Sequence, residues 1–100
     1  MRETDPFYLS TRWRKKRARI LRRDGYMCQV AKRYGKMVPA QTVHHIFPRE
    51  VFPQYEWEDW NLISVSLSTH NILHDRQTEG LTNEGMDLLR RTAHAQGIEL

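Results

Sequence analysis

The chain has a single cysteine in 100 residues, so an internal disulfide is excluded. It also lacks any apolar run near the ~20 residues that a membrane-spanning helix needs, and its Met1-Arg2-Glu3 start has no signal-peptide pattern, so the expected location is the cytoplasm. No internal repeat, P-loop or dinucleotide fingerprint is present, and no second domain is indicated. Acidic residues are missing from Arg12 to Arg23, a stretch that holds eight of the sixteen lysines and arginines. What remains is 39% apolar with ten aromatics, which suits one folded domain over residues 1–100. A core of this size is only marginally stabilising by itself, and a metal clip would help. The net charge of +4 and a pI near 9.6 point to a polyanionic partner.

Taken in order, residues 1–6 read as a flexible tail that becomes ordered at Phe7 and Tyr8. Ser10 or Thr11 caps a helix over Arg12 to Arg23, with Trp13, Ile20 and Leu21 on its apolar face and Gly25 as its stop. Alternation of Tyr26, Cys28 and Val30 predicts a short strand, and Thr42 to Ile46 a further one. Phe47 to Trp60 is a long loop in which Trp57 and Trp60 are packing anchors. Its acidic residues Glu50, Glu56, Glu58 and Asp59 are expected to be solvated. Asn61 to Val65 predicts another strand, followed by a helix capped at Ser66 or Ser68 and running to about Thr78. Gly80 ends that helix, and Thr82 or Asn83 caps a last one with Met86, Leu89 and Ala93 on its buried stripe. His94 in this last helix is expected at the surface.

Four of the five histidines fall between Val43 and His74. His70 and His74 are spaced i, i+4, which on a helix brings two imidazoles to one face. His44 and His45 are adjacent, and on a strand neighbouring side chains point to opposite sides. If His44 turns toward the helix it becomes a third ligand, and His45 is left free as a general base. Three neutral imidazoles with open positions describe a catalytic rather than a structural metal site.

The order V-H-H-I at Val43 to Ile46, N-L at Asn61-Leu62 and H-N-x-x-H at His70 to His74 resembles the HNH endonucleases. The resemblance extends upstream through F-Y-x-S at Phe7, W-R-K at Trp13 and R-D-G-Y-x-C-Q at Arg23, and is greatest to small proteins encoded by phages and prophages beside packaging genes. It implies a small α+β fold around a central ββα-metal motif, with the motif core at 43–76. By the same resemblance His44, His70 and His74 hold one divalent ion, either zinc, nickel, manganese or magnesium. His45 is then the base, and Asn61 ties the ends of the long loop so that His45 is placed. The implied substrate is DNA, with Arg14, Lys15, Arg19, Arg22 and Arg76 as contacts. A monomer would nick one strand and leave 5′-phosphate and 3′-hydroxyl ends, while a homodimer could cut both. Phage packaging proteins are the other implied partners, and no membrane is.

Many such proteins carry two CxxC pairs for a structural zinc. Here those positions hold Cys28 and Ala31, then Ser66 and Thr69, so one of four ligands remains and no structural zinc is expected. Two other readings carry the same residues: a non-catalytic nucleic-acid-binding module with a metal, and the detached nuclease domain of a bacteriocin.

Overall fold

A computed structural model describes residues 5–74 and 80–100 of the chain. Asp5 caps a four-residue helix α1 (Pro6–Leu9) by accepting from the Phe7 N–H at 2.9 Å. Order therefore begins at least as early as Asp5, inside the segment expected to be a flexible tail. Ser10 then caps α2 (Thr11–Arg23), taking the Trp13 N–H at 3.1 Å. Beyond α2 the predicted strand is replaced by a short helix, α3 (Gln29–Arg33). The reason is that Gly25 and Tyr26 both take positive φ, which turns the chain, and only Met27 finds a bridge partner, at Pro39. The bridge ends at Cys28, whose N–H reaches the Val38 carbonyl at 2.7 Å, and from Gln29 onward the backbone is satisfied by coiling.

Strands β1 (Thr42–His45) and β2 (Leu62–Val65) pair antiparallel, with His44 opposite Ile63 and His45 opposite Leu62. Asn61 lies just before β2, at the end of a short helical turn, and not in the strand. The two-stranded sheet separates two cores. On one side Val43 and Leu62 meet Trp13, Ile20, Leu21 and Ala40 under α2. On the other, Ile46, Phe47 and Val65 pack with Cys28, Leu73, Leu88, Leu89 and Ala93. Because strand side chains alternate, His44 faces the second core and His45 the first.

Ser66 caps α4 (Leu67–Leu73), with His74 extended as its C-cap, and the expected end near Thr78 lies outside the described residues. The carbonyls that a further turn would use are taken: Leu73 accepts from the Thr82 N–H at 3.1 Å and Ile72 from the Thr82 hydroxyl. Thr82 is also the N-cap of α5 (Asn83–Gln96), so one residue stops α4 and starts α5. Gly85 permits this junction, since a Cβ there would stand 2.4 Å from the Leu73 carbonyl oxygen. Gly97 closes α5 in the left-handed conformation, and His94 is exposed on it. No helix among the described residues is long and apolar enough to cross a membrane.

Candidate metal centre and nuclease site

His44 is fully buried, yet neither ring nitrogen has a hydrogen-bond partner. A buried polar group without a partner is costly and calls for an explanation. The explanation is local. His70, on α4, and His74, one residue past its end, bring their rings to 5.4 and 4.9 Å from that of His44. One nitrogen from each of the three lies within 4.8 Å of the others. Burial holds all three below the ordinary histidine value: His44 far below it, His70 at about 4, and His74 lowered. Neighbouring imidazoles add to the shifts at His44 and His70. The site is therefore neutral, which is the state in which imidazole binds a metal. Among the described residues no other group of three such donors converges.

His45 lies on the opposite side of β1 in an aromatic box. Its ring stacks on Trp13 at 5.2 Å and meets the edges of Phe7 and Tyr8 at 5.6 and 6.1 Å. Nε2 is 3.1 Å from the Glu56 carbonyl, which can only accept, so Nε2 carries the proton and Nδ1 is bare. Burial lowers its pKa to about 4. Asn61 is buried and makes three bonds that join the two ends of the loop. Its Oδ1 accepts from the Phe47 N–H at 2.7 Å, and its Nδ2 donates to the carbonyls of Phe47 and Tyr55, both at 3.1 Å.

His45, His70 and His74 open into one cleft of about 760 Å³, lined also by Asp5, Tyr8 and Arg49. Arg49 was not among the residues that sequence reasoning selected. Its signal was there, since it is the one lysine or arginine between Lys36 and Arg76. The loop carboxylates are not all solvated either. Glu56 approaches Arg49 at 3.4 Å, and Asp59 binds Lys16 at 2.6 Å and Arg19 through two bonds of 2.9 and 2.8 Å. Arg23 donates to the carbonyls of Asp59 and Leu62, which fastens α2 to β2. Of the expected DNA contacts, Arg14, Lys15 and Arg22 are exposed on α2 and Arg19 is shared with Asp59, whereas Arg76 lies outside the described residues. Trp57 packs on Phe7 at 4.8 Å beneath the Arg12 guanidinium.

Of Cys28, Ala31, Ser66 and Thr69, the three with polar side chains bond to one another. The buried Cys28 thiol lies 3.5 Å from the Thr69 hydroxyl, which in turn lies 3.0 Å from that of Ser66. This small cluster joins the start of α3 to the start of α4.

No protein-family model and no curated protein sequence matches the chain. Among solved structures, the fold is similar to a crystal structure of the HNH endonuclease of the deep-sea thermophilic bacteriophage GVE2 with manganese ion. The TM-score is 0.65 at 33% identity, over 73% of this chain and 75% of that one. An antiparallel strand pair and a helix that converge three histidines, joined to identity at that level over that length, place the chain in one family: it belongs to the HNH endonucleases.

Proposed function

We propose that the chain is a metal-dependent endonuclease that hydrolyses one strand of duplex DNA and leaves 5′-phosphate and 3′-hydroxyl ends. His44, His70 and His74 would hold a single divalent ion. The observation that carries this reading is His44, buried with both nitrogens bare beside two further neutral imidazoles. When bound, the ion supplies Lewis-acid polarisation of the scissile phosphate and offsets charge on the leaving 3′ oxygen. His45 takes a proton from the attacking water at Nδ1, the nitrogen left bare by the bond of Nε2 to the Glu56 carbonyl. Asn61 acts through position: it clamps Phe47, two residues beyond His45, and so fixes where the base points. Exposed Arg14, Lys15 and Arg22 track phosphates, with Arg19 in reach once Asp59 releases it. One base per chain cuts one strand per encounter.

Three imidazoles favour a first-row transition ion over magnesium, and the GVE2 relative was crystallised with manganese, so manganese is tested first. Metal-free protein is incubated with supercoiled plasmid and with manganese, nickel, zinc or magnesium in turn. Relaxed circles that DNA ligase reseals are expected. Plasmid that binds but stays supercoiled with every metal would instead identify a non-catalytic binding module.

A further inference from the structure

Among the described residues that line the cleft, the charged side chains are two carboxylates, Asp5 and Glu50, and one cation, Arg49. Arg49 is the only lysine or arginine among the described lining residues. It is also held with unusual care for a loop residue. Its guanidinium lies 4.1 Å above the Phe7 ring and 5.6 Å from that of Tyr8, and Nη1 donates to Asp5 Oδ2 at 2.8 Å. Nε is buried without a hydrogen bond, its nearest carboxylate being Glu56 at 3.4 Å. A planar, preorganised fork with a carboxylate on one prong is the geometry that recognises a phosphodiester. Asp5 Oδ2 takes the place on Nη1 that a phosphate oxygen would take.

We propose that Arg49 is a phosphodiester-binding residue at the mouth of the cleft, and that Asp5 is its resting counter-ion, displaced when DNA enters. The inference rests on the nuclease reading for the identity of the anion. Asp5 is suited to the exchange. Its two oxygens act separately: Oδ2 pairs with Arg49, while Oδ1 caps α1 at Phe7, so the pair is exchanged with the cap of α1 kept. The exchange trades one charge-assisted pair for another, and the N-terminal arm thereby competes with substrate.

The test is a double-mutant cycle on the full chain, read as affinity of metal-free protein for a duplex oligonucleotide by fluorescence anisotropy across a salt titration. Asp5→Asn should tighten binding about five-fold, and Arg49→Gln should weaken it about ten-fold and lower the salt slope by about one. In the Arg49→Gln background Asp5→Asn should have no effect beyond that of Asp87→Asn. Asp87→Asn, in an exposed pair with Arg90 on α5, is the control for removing a paired carboxylate away from the cleft. A gain from Asp5→Asn that equals that of Asp87→Asn, or that persists without Arg49, overturns the proposal. Asp5→Asn leaves Arg49 in place, so the comparison with Asp87→Asn holds whether or not Arg49→Gln folds. Plasmid nicking by the wild type with manganese is followed in parallel. Nicking with a flat cycle removes the phosphate site alone, and coupling without nicking removes the nuclease reading alone.

Discussion

At the scale of single residues, the division of labour proposed for the histidines follows from one peptide bond. His44 and His45 are neighbours, and strand alternation sends one toward the rings of His70 and His74 and the other into an aromatic box beneath α2. Removing them should have different consequences. His45→Ala is expected to lower nicking by at least ~10²-fold, the scale of a positioned base, while metal affinity stays within a few-fold. His70→Ala or His74→Ala should weaken metal binding and nicking together, because each supplies one of three donors. Metal titration calorimetry beside a plasmid assay separates the two classes. A His45→Ala protein that loses its ion, or that still cuts, would reverse the assignment.

At the scale of elements, α2 serves two ends at once. Trp13, Ile20 and Leu21 hold it to the sheet, and Lys16, Arg19 and Arg23 fasten it to the loop through Asp59. Arg14, Lys15 and Arg22 remain exposed. Charge reversal at these three should weaken DNA binding and flatten its salt dependence with the melting temperature unchanged. Arg19→Glu should also lower the melting temperature slightly, since an exposed pair contributes at most ~1 kcal/mol. Equal effects on binding and stability at all four positions would return α2 to a purely structural role. The junction of α4 and α5 offers a stricter test. Gly85→Ala forces a Cβ against the Leu73 carbonyl, an overpacking that costs ~1–3 kcal/mol and moves the residue before His74. Both melting temperature and metal affinity should fall. The four histidines, Asn61 and the basic face of α2 were legible in the sequence because fixed spacings and a run of one charge survive without tertiary information. The helix at Gln29–Arg33 was not, because alternation over five residues cannot say whether a partner strand exists. Arg49 was missed because its worth depends on Phe7, Tyr8 and Asp5, some forty residues away in sequence.

For the whole molecule, folding and metal binding share a dependence on protons. His44 and His45 are buried, and their pKa values are lowered from 6.5, that of His45 to about 4. Between those limits the unfolded chain binds protons that the folded chain does not, so stability is full above pH 6.5 and is lost as pH falls toward about 4. Each such histidine contributes a slope on the order of 1.4 kcal/mol per pH unit, a large effect on a chain with two small cores. The metal-free protein should therefore keep its secondary structure at neutral pH and melt at steadily lower temperature across that window. An ion held by His44, His70 and His74 would bind only the folded state, so it should raise the melting temperature at neutral pH by mass action. Its benefit should shrink in acid as protons compete for the imidazoles. Circular dichroism melts with and without chelator, at several pH values between neutrality and pH 4, measure both effects. A melting temperature that does not change with pH in the chelated protein would mean that His44 and His45 are hydrated rather than buried. Complete loss of structure on chelation at neutral pH would mean that the two cores cannot hold the strand pair without its ion. Elemental analysis should find one tightly held ion per chain, since the Cys28, Ser66 and Thr69 cluster offers a single thiolate donor where four ligands would be needed.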